Sequence, residues 1–193
     1  DRFMVVAELE GLDAVIVANK IDRVERDRAE EVFAPYAALG YPVTYTSALT
    51  GEGIEPLRER LRGGVSAFVG PSGVGKSSLL NALEPGLGKA IGAISDTLDK
   101  GRHTTRVAEL HPLEGGGWVA DTPGIRELAS FELPARELPA CFPEMRPFLG
   151  ACRFPDCAHV HEPGCAVRDA LERGEIDPAR YDSYRRILAG DER

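Results

Sequence analysis

The sequence predicts an α/β fold with a largely parallel sheet, followed by a small, mainly helical module built around a metal. Three observations carry this. Short apolar runs of strand length alternate with helical charge patterns over most of the chain. The segment GPSGVGKS, residues 70–77, joins one such run to a helical one. Four residues, Cys152, Cys157, His159 and Cys165, fall within fourteen positions of a Pro-rich tail.

In chain order, DRFMVVAELEG reads as a helix and LDAVIVAN as a strand ending at Asn19. ERDRAEEVFAPYAALG has helical charge spacing and stops at Gly40. YPVTYTS is a second strand, and GIEPLRERLRGG is a helix closed by Gly63 and Gly64. VSAFVG is a third strand, entering the glycine-rich loop, and KSSLLNAL is the helix that leaves it. TRVAELHPLEGGGWVAD reads as two strands joined by a Gly-rich hairpin turn. Beyond Gly124 the composition becomes Pro-rich, and the tail reads as two short helices around a Gly-Glu-Ile-Asp-Pro turn. This gives a first domain over residues 1–130 and a second over 131–193.

Composition narrows the function. The 193 residues are 43% hydrophobic, enough for a core. The 31 acidic and 23 basic residues give a formal charge of −8, which argues against a surface that grips nucleic acid everywhere. From Gly150 onward there are seven basic and nine acidic residues, so the tail is not a basic patch on average either. A solvated helix face is the reading for Arg153, Arg168, Arg185 and Arg186. No apolar run approaches membrane-spanning length and no secretory leader is visible. Four cysteines suit a reduced, cytoplasmic compartment at least as well as a disulfide framework.

GPSGVGKS has the spacing of a phosphate-binding loop in the context that the mechanism requires, after a strand and before a helix. Gly70, Gly73 and Gly75 let the backbone N–H groups turn toward phosphate oxygens, and the helix start adds its positive dipole end. The expected nucleotide contacts run through Gly70, Pro71, Ser72, Gly73, Val74, Gly75, Lys76, Ser77 and Ser78. Lys76 reaches the terminal phosphates and counts as catalytic; the Ser77 hydroxyl binds Mg²⁺. A phosphate cradle alone does not separate GTP from ATP.

NKID, residues 19–22, supplies the separation. A carboxylate at Asp22 accepts from the ring N–H and the exocyclic amine of guanine, a donor pair that adenine lacks. Asn19 ties the loop together and meets the base edge, and the Lys20 stem covers the ring face. In TSAL, residues 46–49, Ser47 and Ala48 follow a strand, with a backbone N–H near Ala48 for the guanine carbonyl. Asn-Lys-x-Asp alone is a weak signal; its company at other strand ends makes guanine the favoured base, with an ATPase as the remaining alternative.

Two further segments fit switches. DTPG, residues 121–124, ends a strand, so that Asp121 holds Mg²⁺ through a water and the Gly124 N–H meets the terminal phosphate. GRHTT, residues 101–105, offers Thr105, with Thr104 as alternative, as a Mg²⁺ ligand. The position after Gly124, where many GTPases carry a water-orienting Gln, holds Ile125. His103 is the candidate to position and deprotonate that water; an ordinary loop histidine is the alternative.

The motifs run in an inverted order: base reader, Ser-Ala loop, phosphate loop, switch one, switch two. Circular permutation accounts for this without new chemistry. LRGGVS, residues 61–66, joins what are the two chain ends in the usual arrangement. The fold expected is a circularly permuted P-loop GTPase fold followed by a zinc-binding domain. Three thiolates and one imidazole suit tetrahedral Zn²⁺, and four protein ligands close the site, which makes the metal structural. His161 is the rival nitrogen, and Cys141 stands outside the cluster.

This order of motifs, with GRHTT and the run CRFPDCAHVHEPGCAV, resembles the circularly permuted, ribosome-small-subunit-dependent GTPases of the RsgA (YjeQ/YloQ) family across essentially the whole chain. The resemblance implies GTP hydrolysis to GDP stimulated by the small ribosomal subunit, contact with its rRNA, and a role in late maturation by a monomeric, cytoplasmic protein. It also implies a catalytic role for His103 and zinc ligation by Cys152, Cys157, His159 and Cys165. Family members carry an N-terminal OB-fold domain that this sequence lacks, and a strand expected before the first helix is missing, so the sequence reads as a fragment cut inside its GTPase domain. A GTP-dependent binding module with little turnover and a non-ribosomal partner is the second reading; Ile125 keeps it open.

Overall fold

The computed structural model describes residues 1–88, 109–121 and 134–190, and divides the chain into two compact units. One runs from Val15 to Leu128; the other combines Asp1–Ala14 with Ala129–Arg193. Among the described residues, no helix is long and apolar enough to cross a membrane.

In the first unit, β1 (Ile16–Asn19) and β2 (Val43–Thr46) pair in parallel, Ile16 opposite Val43 and Asn19 opposite Thr46, with helix α2 (Arg26–Ala38) as the crossover. The strands are shorter than the apolar runs that announced them, because pairing begins only where Ile16 donates to the Pro42 carbonyl. A second ladder has the order β3 (Val65–Ser66), β5 (Trp118–Asp121), β4 (Glu109–Pro112). β3 and β5 are parallel and β4 returns antiparallel, as the Gly-rich hairpin predicted. β3 is two residues long, shorter than the predicted VSAFVG, although Phe68 beyond it still packs against the core.

Helices α3 (Ile54–Leu61) and α4 (Lys76–Leu83) pack together through Ile54, Leu57, Leu79 and Leu83. The next residue round α4, Leu80, joins Leu87, Leu113 and Val119, with Leu61 and Phe68 touching both clusters. Burying each such leucine contributes about 1.5–3 kcal/mol. Along β5, Val119 is in this core and Trp118 faces outward, the alternation a strand imposes. Gly53, which starts α3, backs onto β2 so closely that a Cβ there would lie 2.0 Å from the Tyr45 carbonyl oxygen.

The other unit gathers α1 (Arg2–Glu10), two 3-10 turns (Leu138–Cys141 and Pro143–Phe148), α5 (Ala166–Glu172) and α6 (Pro178–Leu188). The N-terminal helix, expected to open the first domain, therefore packs with the C-terminal residues. Val5 sits among Leu138, Phe142, Met145, Val167 and Tyr184, all buried, and the Phe142 and Tyr184 rings meet edge to face at 5.5 Å. α6 starts where the Gly-Glu-Ile-Asp-Pro turn predicted: Asp177 accepts from the Ala179 and Arg180 N–H groups and Pro178 takes the first helical position.

Arg180 is the polar centre of this unit. Its side chain is 2% exposed and lies over the Phe142 ring. It donates twice to the Glu144 carboxylate, which is 5% exposed, and once to the Asp1 carboxylate. Removing one partner from such a set leaves the other charge buried and uncompensated. Arg180→Ala is expected to cost this unit about 3–5 kcal/mol in urea unfolding, and the loss should shrink when Glu144 is replaced by Gln in the same chain. A cost no larger than that of a surface arginine would show that the triad is not what holds α6.

Candidate functional site

Three predicted loops follow strands, NKID after β1, TSAL after β2 and the glycine-rich loop after β3, and Asp121, the first residue of DTPG, is the last of β5. Parallel pairing of β1 with β2 sets the NKID and TSAL loops side by side, and parallel pairing of β3 with β5 brings Val65 opposite Trp118 and Ser66 opposite Val119. Crevices at the carboxyl ends of parallel strands are where α/β folds bind ligands.

Asn19 joins three of these loops. Its amide Nδ2 donates to the Val74 carbonyl at 3.1 Å, inside the glycine-rich loop. Its Oδ1 accepts from the Thr46 hydroxyl and from the Ala48 N–H, each at 3.3 Å. Lys20, at a positive φ of 69°, sends its ammonium to the Gly73 carbonyl. The approach leaves no room for a side chain at residue 75: a Cβ on Gly75 would lie 2.5 Å from Asn19 Nδ2, and Gly75 already has a φ of 97°. Base-reading and phosphate-binding segments are thus one connected structure.

Asp22, exposed, accepts from the Ser47 hydroxyl at 2.5 Å through Oδ1. Ser47 is fully buried, and its hydroxyl oxygen also accepts the Thr50 N–H at 3.2 Å. One carboxylate oxygen is therefore anchored while the group as a whole stays accessible. The Ala48 N–H, expected to point at a ligand carbonyl, is directed at Asn19 Oδ1. The Lys76 ammonium donates to the carbonyls of Gly70 and Pro71, at 2.6 and 2.8 Å, and so lies over the loop it follows. Ser77 and Ser78 are exposed on the first turn of α4, opposite the buried Leu79 and Leu80, and Pro71, Ser72, Gly73 and Val74 are exposed as well. Asp121 closes β5. His103, Thr104, Thr105, Gly124 and Ile125 lie outside the described residues.

In the other unit the metal-type residues converge. One ligand atom from each of Cys152, Cys157, His159 and Cys165 lies within 4.8 Å of all the others. His159 Nδ1 is 3.5 Å from Cys152 Sγ and 3.4 Å from Cys165 Sγ, and the two sulfurs are 3.9 Å apart. A tetrahedron with metal–sulfur bonds of about 2.3 Å and metal–nitrogen bonds of about 2.0 Å has S···S edges of about 3.8 Å and N···S edges of about 3.5 Å. The four residues therefore fit a tetrahedral ion, and the three cysteines are not disulfide-bonded. Burial depresses the His159 pKa, which keeps the imidazole neutral as a ligand must be. Burial, with the neighbouring thiols, pushes the Cys157 thiol up to about 12, and a bound cation would favour its thiolate.

A scaffold that the sequence did not reveal holds this cluster. The Tyr181 and Tyr184 hydroxyls donate to the His159 and Ala158 carbonyls, at 2.6 and 2.7 Å. The Glu162 carboxylate accepts the N–H groups of Ala158, Val160 and His161. Desolvation opposes that charge, but the backbone donors together outweigh it and hold the group at about 2. The stabilisation is present at neutral pH and is lost as pH falls from the usual carboxylate range toward 2. Thr46 was also missed. Its signal was available: polar side chains at the alternate, inward positions 44 and 46 of an otherwise apolar strand.

These features define a class: a circularly permuted P-loop fold of the GTPase type, with a Cys3His centre in its C-terminal region. A family model described as RsgA GTPase matches residues 1–131. The chain belongs to the RsgA GTPase family. It is 55% identical to the "Small ribosomal subunit biogenesis GTPase RsgA" of Gemmatimonas aurantiaca, over 95% of this chain and 60% of that protein. The protein of the same name from Moorella thermoacetica is 48% identical over 98% of this chain and 65% of its own length. Among solved structures, YjeQ from Thermotoga maritima matches with a TM-score of 0.80 at 41% identity, covering 98% of this chain and 64% of that one. YloQ, described as a circularly permuted GTPase, matches at 0.74 and 31% identity, over 99% of this chain and 61% of that one. The chain spans about three fifths of the length of these relatives.

Proposed function

We propose that this chain is the nucleotide-hydrolysing and zinc-binding part of a GTPase that docks on the small ribosomal subunit and acts as a late checkpoint in its maturation. The observation that carries the nucleotide reading is the position of Asn19, hydrogen-bonded at once to the glycine-rich loop and to the Ser-Ala loop. The small ribosomal subunit comes from the names of the relatives; contact with its rRNA, a cytoplasmic setting and a monomeric state are part of the same proposal.

In this reading residues 70–78 cradle the phosphates and Lys76 leaves its own loop's carbonyls for the terminal ones. Asp22 reads the guanine edge, Asn19 and Ala48 shape its pocket, the Lys20 stem covers the ring, and Ser47 fixes the Asp22 carboxylate. Ser77, Thr105 and Asp121 serve Mg²⁺, and the Gly124 N–H meets the terminal phosphate. His103 orients the attacking water, the task that Ile125 has no group to perform. The cation at Cys152, Cys157, His159 and Cys165 is a structural zinc, since four protein ligands leave no open position for a substrate.

The test is GTP turnover by the full-length protein with and without purified small subunits, alongside His103→Ala. Strong stimulation is expected, and the variant should lose about 10²–10⁴-fold of the stimulated rate while binding GTP as before. Tight GTP binding with no stimulation would replace the enzyme with a GTP-dependent binding module and a different partner.

A further inference from the structure

The Cys3His cluster is sealed on one side only. Cys165 is 1% exposed and belongs to the core, whereas Cys152 and Cys157 are half-buried. Cys152 lies in a run whose other members, Ala151, Arg153, Phe154, Pro155 and Asp156, are all exposed. A small solute therefore reaches the cluster from this side. The Cys152 and Cys165 sulfurs are 3.9 Å apart, and the backbone beside them is tied together, with the Arg153 N–H donating to the Gly164 carbonyl at 2.9 Å. A disulfide needs its sulfurs at about 2.05 Å. The backbone bond between the next residues, Arg153 and Gly164, holds the two cysteines near each other as the sulfurs close that gap.

We propose that Cys152 and Cys165 are a peroxide-oxidisable thiol pair, and that their conversion to a disulfide releases the metal. The inference rests on the zinc reading above. In the first step the Cys152 thiolate attacks one oxygen of hydrogen peroxide; the S–O bond forms as the O–O bond breaks, and hydroxide leaves and takes a proton from solvent. The sulfur, now a sulfenic acid, has lost two electrons to the peroxide. The Cys165 thiolate then attacks it; the S–S bond forms, the S–O bond breaks, and a second hydroxide leaves. Cys157 and His159 remain as ligands, two of the four that a closed site requires. A dithiol reductant returns both thiolates and the ion can bind again.

The experiment uses the full-length, zinc-loaded protein, with metal content measured first. Hydrogen peroxide is then added in steps, released zinc is followed with a chromogenic chelator, and thiols are alkylated after denaturation and mapped by mass spectrometry. One zinc is expected to leave for each disulfide formed. The four thiols of residues 1–193 should fall to two, those of Cys141 and Cys157, with the peptides of Cys152 and Cys165 linked. Dithiothreitol with added zinc should restore the starting state, and Cys141→Ser, which lies outside the cluster, should release zinc in the same proportion. Zinc release without linkage, linkage through Cys157, or retention of zinc at a peroxide excess that fully oxidises glutathione would each overturn the proposal while leaving the zinc reading in place. Protein that carries no zinc before oxidation would overturn both.

Discussion

Asp22→Asn is expected to weaken GTP binding by about 10²–10⁴-fold and to make xanthosine triphosphate the better ligand. The wild-type carboxylate offers two acceptors to the two donors on the guanine edge, and hydrogen bonds to a charged group contribute about 1.5–3 kcal/mol each. The amide keeps one acceptor and presents a donor to the second position, which guanine cannot meet and the xanthine carbonyl can. The geometry favours a clean exchange: Ser47 donates to Oδ1 of Asp22 and is itself buried, so the side chain is held in place and either group at residue 22 can present its other atom outward. Ser47→Ala should act on the same site more weakly, since it frees the Asp22 carboxylate without removing it. The measurement is competition between GTP, ATP and xanthosine triphosphate for each variant. Unchanged preference in Asp22→Asn would remove the guanine assignment and return the ATPase alternative.

The parts of this site that were legible in the sequence are those whose chemistry is local. The phosphate loop is written in consecutive residues, and α4 begins at Lys76, as KSSLLNAL implied. The cysteine and histidine spacing announced a tetrahedral set, and the four ligand atoms converge. Partnerships made over long sequence separations were not legible. Nothing in RFMVVAELE says that Val5 will be buried against Phe142 and Met145 rather than against the neighbouring strands, because a nine-residue amphipathic pattern specifies an apolar stripe and not its counterpart. The sequence assigns the Pro-rich stretch after residue 133 to the second domain without defined elements; it holds two 3-10 turns that contain prolines, and Leu138, Phe142 and Met145 there are in the core. Nothing in the sequence singled out Arg180, whose partners lie 36 and 179 positions away. Asn19 is the intermediate case: its loop was legible, its grip on the Val74 carbonyl 55 residues later was not.

Stripping the metal is expected to unfold the unit that contains residues 134–190. The cluster is not an appendage to that unit: Cys165 lies in its core, His159 holds a positive φ of 59°, and the Tyr181 and Tyr184 hydroxyls of α6 are committed to the carbonyls of residues 159 and 158. Without the cation the loop from 152 to 165 loses its cross-link, and the positive-φ backbone at His159 and the carbonyls bound by the α6 tyrosines are left to the hydrogen bonds of Tyr181, Tyr184 and Glu162 alone. Structural zinc sites in small peptides are worth about 10–16 kcal/mol at neutral pH. This unit also has an apolar core, so part of the fold does not depend on metal; yet a loss of even about 4 kcal/mol lowers the melting temperature of a unit this size by roughly 15–30 °C. The single tryptophan, Trp118, lies in the other unit and reports on it separately. Treatment with a strong chelator should therefore remove one zinc per chain and lower helical circular dichroism, with the Trp118 emission as the control for damage elsewhere. If the metal leaves and the helical signal and its melting temperature stay where they were, the cluster is a surface site that the fold tolerates, and its role must be sought in what it binds.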